Sequence, residues 1–589
     1  MKNISNRYSI NINKNFVLGV EKTDNGYSFA IVSDNDEITL FLFKDDDRDS
    51  HLSIVIGKEY KIGNVFSVIL KNIDLDGYSY VYMADGEIIV DPYAKMLTGL
   101  PEFSVIDNSG LVNVRGKIGN NRYDWKSENK PVINKEDLII YKLHPRGFTM
   151  SPSSKVKYPG TFRGITEKIP YLKKLGINAV ELMPAYEFKE YDYHFNYWGY
   201  NDGFYFAPKA AYSSCYKDGG DYTSEFKDMV KKFHINGIEV YMEFYFPREI
   251  YAGVVLDCLR YWKKEYHIDG AHLICDERVR LFIAEDPYIK DMRLIYSDWY
   301  TDCNNSNLIE YNEGFENVTR KLLKGDEGQL RDFVDAFKKN PLHTSVINFI
   351  ADNNGFTLMD LVSYDRKHNE DNGEHNRDGK DYNISWNCGE EGPSTKRKVL
   401  VQRLRNRKNA MAFVLLAQGI PLIYSGDEFG NSQNGNNNTY CQDNETGWVD
   451  WSVLNKNRKF LNYVTELIKF RKEHKILHTE KELFQTDYKY YGLPDFSIHG
   501  SKAWYQEYEN YNRHIGIMLC GKYAGDENEV YIGINMHWEK HTLALPKVPD
   551  KKWKVVINTN DIESITIEEE RTMEVPPRSI VVLISEKNS

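Results

Sequence analysis

At 589 residues the chain is too long for one compact core and predicts several domains. Its 41% hydrophobic and 27% charged residues exclude wholesale disorder. A net charge of -11 argues against a broad nucleic-acid surface, which needs many Lys and Arg contacts to phosphate.

The opening MKNISNRYSININKN lacks the apolar core of a signal peptide, and no later run of about eighteen apolar residues occurs. No membrane partner is expected, and the chain reads as cytoplasmic. Residues 1–128 carry short runs such as YSFAIV, EITLFLF and SVILKNI between Asp, Asn and Gly clusters. This is the pattern of an antiparallel β-sandwich.

From residue 129 to 477 the pattern changes to strand-like runs separated by amphipathic helices. The runs are DLIIYKLHP, INAVELMP, IEVYMEFYF, HIDGAHLI and RLIYSDW, with HTSVINFIADN and IPLIYSGDE as the last two. One helical stretch, ITEKIPYLKKLG, sets Ile165, Ile169, Leu172 and Leu175 on a single stripe. Repeated strand and helix units with apolar strands imply a parallel sheet buried on both faces, here a closed (β/α)8 TIM barrel. After residue 478 the runs KAWYQEY, HIGIMLC, VYIGINM, WKVVINT and SIVVLIS predict a C-terminal β-sandwich, residues 478–589. The fold class is thus multidomain α/β, with the barrel flanked by two all-β modules.

Seven cysteines, Cys215, Cys258, Cys275, Cys303, Cys388, Cys441 and Cys520, are odd in number and show no CxxC spacing. Neither a zinc site nor a disulfide framework is indicated, so reduced thiols, mostly buried, are expected. No EF-hand loop is visible, and no metal or cofactor is expected. Tyr occurs 42 times; aromatic faces suit flat sugar rings, although filling strands is the plainer account.

Barrel enzymes carry their chemistry at the C-terminal ends of the strands. Around those ends lie NYWGYNDGFYFAPKAAYSS, NGFTLMDLVSYDRKHNEDNGEHNRDG, SWNCGEEGP and SGDEFGNSQNGNNNTYCQDN. These segments resemble the isoamylase and glycogen-debranching group of the α-amylase family (glycoside hydrolase family 13). With LGVEKTDNGYSFAIVS and IIVDPYAKMLTG, which are similar to the family's glycan-binding-type sandwich, the resemblance spans nearly the whole chain. It implies hydrolysis of α-1,6 branches by a retaining route, in which one carboxylate attacks the anomeric carbon and another protonates the leaving oxygen.

The sequence departs from that family where it matters most. Where the resemblance implies a nucleophilic Asp two residues beyond an orienting Arg, the fourth strand reads Gly270, Ala271, His272, Leu273, Ile274. Ile274 has no lone pair with which to form a glycosyl intermediate. At the general-acid place stands Ser297, followed by Asp298 and Trp299, and a hydroxyl is too weak an acid near neutral pH. The family's His-Asp pair becomes Asn353 and Asn354. The third strand ends Glu243, Phe244, Tyr245, Phe246, Pro247, Arg248, and the long loop expected after it is absent.

Asp276, Asp298 and Glu243 are the acids that could rescue catalysis. Candidate sugar contacts are Tyr197, Trp198, Tyr200, Asn201, His272, Trp299, Asn353 and Asn354; the resemblance places Tyr197 beneath the sugar at the cleavage point. The plainer roles are rim packing for Tyr197, Trp198 and Tyr200, a bonded interior histidine for His272 and a turn for Asn353 with Asn354. The charged loop with Lys367, His368, Asn372, Glu374, Asn376 and Arg377 reads as a solvated face, and NSQNGNNNTY as a polar turn-rich loop.

The leading expectation is a non-catalytic α-glucan-binding protein, with glycogen, amylopectin or maltooligosaccharides as ligand, or a partner subunit for a catalytic debranching enzyme. The alternative is an active glycoside hydrolase with a rearranged site. A third reading is an assembly protein with no glycan affinity.

Overall fold

The structure, a computed structural model, describes residues 8–44, 49–105, 113–119, 123–191, 194–299, 306–341, 344–561, 564–568 and 571–587. Residues 1–7 of the opening segment, Cys303, and His343 at the head of the seventh strand run lie outside the described residues.

The N-terminal part forms two antiparallel sheets. One pairs Ser9–Ile12, Val65–Lys71, Gly26–Val32 and Gly19–Thr23; the other centres on Ser79–Ala84, Glu37–Phe43 and Leu52–Gly57. Alternate residues from both sheets, among them Phe29, Val68, Leu40, Ile54 and Tyr82, make a common core. That is sandwich packing.

Eight parallel strands close the barrel in sequence order: β1 (Ile140–Leu143), β2 (Ala179–Leu182), β3 (Glu239–Tyr245), β4 (Gly270–Ile274), β5 (Arg293–Tyr296), β6 (Leu308–Tyr311), β7 (Ser345–Asn348) and β8 (Ile420–Tyr424). Ile140, Ala179, Tyr241, Ile309, Ile347 and Leu422 fill the lower interior as one apolar cluster, while the opposite strand faces pack on the surrounding helices. Strands buried on both faces read as continuous apolar runs, which is why seven of the eight are visible in the sequence. Strand β6 is not: its run LIEY stands between Asn307 and Asn312, whereas equally short strands such as β1 and β7 continue into apolar neighbours.

The stripe Ile165, Ile169, Leu172 and Leu175 is buried as expected, but on two helices, Phe162–Thr166 and Ile169–Leu175. Pro170 lies in the first turn of the second helix, where a missing N–H costs nothing, and this forces the break before it.

The C-terminal module pairs Phe496–His499, His514–Leu519, Val530–Asn535, Ser579–Lys587 and Lys551–Asn558 in one sheet, with a smaller sheet of His541–Ala544, Thr572–Val575 and Ile567–Glu568. KAWYQEY is not a strand. Trp504 there has φ 65° and is exposed, and Phe496–His499 takes the pairing position beside His514–Leu519.

Six cysteines are free thiols; Cys258, Cys388 and Cys520 are buried, and Cys215, Cys275 and Cys441 half-buried. Among the described residues no helix is long and apolar enough to cross a membrane.

Candidate functional site

Side chains alternate along a strand, so Lys142, Glu181, Glu243 and His272 share the inward face with Ile140, Ala179 and Tyr241, one step nearer the C-terminal mouth. Register places Lys142 opposite Glu181 on β1 and β2, and Glu243 opposite His272 on β3 and β4. The four meet across the barrel. Lys142 Nζ lies 2.7 Å from Glu243 Oε1 and 3.7 Å from Glu181 Oε1. His272 Nδ1 lies 2.9 Å from Glu181 Oε1 and 3.2 Å from Glu243 Oε1. Both carboxylates and the ammonium are buried.

Burial alone would lower the basic groups and raise the acids, but mutual attraction wins. The Lys142 ammonium is held above its usual range by Glu243, Glu181 and Asp352. Against burial, the His272 imidazole is pushed up to about 9 by Glu181 and Glu243. The Glu243 carboxyl is drawn well below the usual carboxylate range by Lys142 and His272 despite its burial. With His272 protonated, two cations balance two anions.

A rim completes the cluster. Tyr200 donates to Glu243 Oε2 at 2.6 Å and accepts from Asn353 Nδ2 at 3.1 Å. Tyr311 packs against the His272 ring, tilted by 32° at 4.7 Å between centres, and donates to Asp352. Glu181, Glu243 and His272 bring one potential ligand atom each to within 4.8 Å of one another, a set that by type could take a cation. Lys142 already supplies that charge, and a protonated His272 has no lone pair to offer.

One alternation beyond His272, Ile274 presents an aliphatic side chain at the mouth, its carbonyl accepting from Phe246 N. Two residues past the buried Ile295, Ser297 is exposed. The sequence-level rescue acids have other bonds. Asp276 caps the helix Glu277–Glu285 through Arg278 N and pairs with the Arg278 and Arg248 side chains at 2.6 and 3.2 Å. Glu243 is the buried acid described above. Asp298 is half-buried, and its carbonyl accepts from Arg280. Past β8, Asp427 accepts from Leu358 N, and Glu428 accepts from Tyr141 and Tyr171.

Of the candidate sugar contacts, Tyr200, His272 and Asn353 belong to the central cluster. Tyr197 is 1% exposed, its ring stacked on His144 at 3.9 Å, and its hydroxyl has no hydrogen-bond partner among the described residues. Burial pushes the His144 imidazole down to about 4. Trp198 is buried edge-on to Tyr200. Asn201 bonds the carbonyl of Lys189, and Trp299 is buried with its Nε1 on the carbonyl of Ile309. Asn354 is exposed, its N–H on Asp352.

The 367–377 loop is not uniformly a solvated face. Lys367 and Asn372 are buried, and Asn372 joins Asn369, Asp378, Asn436, Asn437, Asn438 and Gln442 in a network of side-chain hydrogen bonds.

Sequence reasoning passed over Lys142, Glu181, Tyr311 and Asp352. The available signal was a charge inside an otherwise apolar strand run, as in IIYKL and NAVEL, since a buried charge needs a partner.

The α-amylase catalytic-domain family matches residues 142–247. The chain is 28% identical to isoamylase 1, chloroplastic, of Arabidopsis thaliana, over 94% of this chain and 86% of that one. It is 29% identical to a glycogen operon protein GlgX homolog of Haemophilus influenzae, over 89% of this chain and 91% of that one. Among solved structures, pullulanase from Paenibacillus barengoltzii in complex with maltohexaose and α-cyclodextrin superposes with a TM-score of 0.75 at 18% identity, covering 97% of this chain and 96% of that one. That likeness is one of fold.

Proposed function

Because the chain belongs to the α-amylase family, on its isoamylase side, we propose that it is a catalytically silent member that binds α-glucan in the cytoplasm, alone or beside an active debranching enzyme. The observation that carries this reading is that the sequence has Ile274 and Ser297 where the family resemblance implies the two carboxyl groups of retaining chemistry, about 5 to 5.5 Å apart. The bonds of two inward or neighbouring acids support it. Glu243 faces inward but spends its charge on Lys142 and His272, and Asp276 is tied to a helix end and two arginines.

The test mixes the purified chain with glycogen and with amylopectin and follows co-sedimentation alongside release of reducing ends. Co-sedimentation without release is expected. Steady release that Asp276→Ala abolishes overturns the silent reading. A partner role is checked by adding the chain to an active isoamylase and measuring the debranching rate and the elution volume of the mixture.

A further inference from the structure

Far along the chain from the barrel mouth residues, segment 483–493 runs between the last barrel helix, Arg458–Glu473, and the first C-terminal strand. It holds Phe484, Tyr488, Tyr490 and Tyr491, which are 40 to 92% exposed. Rings this large and this exposed, grouped on one short segment, form a surface patch that asks for a ligand.

The patch is built rather than loose. Asp487 accepts from the backbone N–H groups of Tyr491 and Gly492 and from the Tyr523 hydroxyl at 2.6 Å. Tyr523 in turn touches Tyr488 at 4.8 Å and Tyr491 at 5.0 Å between ring centres, and Phe484 meets Tyr488 edge-on at 5.5 Å.

Phe484 and Tyr488 form one wall of a cavity of about 610 Å³. His478 lines the same cavity and is 8% exposed. Among the described residues neither of its ring nitrogens has a hydrogen-bond partner of good geometry; Nδ1 lies 3.1 Å from an Asp137 oxygen but out of line for one. Burial, with help from nearby Arg471, pushes its pKa down to about 4, so it is neutral and can either donate to or accept from a ligand. Around the cavity, Lys475, Lys481 and Lys489 offset three of its four carboxylates, so no strong field selects for an ion.

Exposed ring faces beside an unsatisfied neutral imidazole and balanced charge suit a ligand that is uncharged, rich in hydroxyls and apolar on its ring faces. We infer that this cavity is a second binding site for an α-glucan chain, with sugar rings lying on Phe484 and Tyr488 and a hydroxyl meeting His478. That the sugar is an α-glucan rests on the function proposed above.

Hydrogen exchange on the full-length chain, with maltoheptaose as probe, tests this. Protection of 483–492 and of 521–525 is expected. In titration calorimetry the exposed-surface variant Phe484→Ala/Tyr488→Ala is expected to bind maltoheptaose about tenfold more weakly. Glycogen binding with no protection of 483–492 overturns this site and leaves the glucan reading standing. An unprotected segment together with no glucan binding anywhere overturns both.

Discussion

Replacing Lys142 by Met keeps the volume of the side chain and removes the charge on which the barrel's buried cluster depends. At an effective dielectric of about 20, the contacts at 2.7 Å to Glu243 and 3.7 Å to Glu181 correspond to about 6 and about 4 kcal/mol of attraction. Desolvation of the three buried groups offsets much of that. Stranding a buried partner leaves a net loss of about 3–5 kcal/mol. At about 2 °C per kcal/mol for a large domain, the barrel transition falls by about 6–10 °C. Adding Glu243→Gln should recover most of the loss, because an amide oxygen still accepts from Tyr200 and the remaining His272–Glu181 pair at 2.9 Å is balanced. Differential scanning calorimetry of the wild type, both single variants and the double variant at one scan rate gives the coupling directly. A harmless Lys142→Met, or a double variant as unstable as the sum of the singles, refutes the idea that these charges stabilise one another.

Three further outcomes follow from the same contacts. The His272 imidazole has a folded pKa of about 9 against an ordinary 6.5, so the folded state binds its proton more tightly. The resulting stability, on the order of 3 kcal/mol, is complete below about pH 6.5 and is lost as pH rises through about 9; thermal melts from about pH 6 to 10 should show that slope, and His272→Gln should flatten it. Asp276→Ala removes a helix cap and should lower the thermal midpoint, a loss largely recovered by Asp276→Asn, with reducing-end release at background in all three proteins. Tyr200→Phe takes a 2.6 Å donor from the buried Glu243 carboxylate and should lower stability by about 1.5–3 kcal/mol in a denaturant titration.

The barrel was legible because strands such as VYMEF are covered on both faces and stand out as apolar runs between amphipathic helices. Strand β6 escaped because LIEY stands between Asn307 and Asn312, so no apolar run extends beyond it. KAWYQEY misled because aromatic residues favour strands in general, whereas Trp504 and Tyr505 are exposed beside a backbone with positive φ. The 367–377 loop looked solvated because composition registers polarity alone; its Asn369 and Asn372 are buried by bonding to Asp378 and to Asn436 and Asn437 of the neighbouring Asn-rich loop. The residue types at 274 and 297, on which the proposed silence rests, could be read from the sequence alone. The partnership of Lys142 with Glu243 could not, since it depends on which strands close upon each other.

That partnership gives the substitutions at the mouth a common physical sense. A retaining site keeps a carboxylate at the surface of a cleft, held ready by a neighbouring cation, so that its charge is available to a sugar. Here the cation on β4 is His272, and its Nδ1 is engaged by Glu181 and Glu243 below the mouth rather than by an acid at 274. Lys142 closes the count from the other side. The charges of Lys142, Glu181, Glu243 and His272 therefore balance within the barrel interior and leave Ile274 above them with nothing to orient. If the chain binds α-glucan as proposed, an interior of that kind leaves the contacts to ring faces and hydrogen bonds, which is what the aromatic wall at Phe484 and Tyr488 offers on a different part of the molecule.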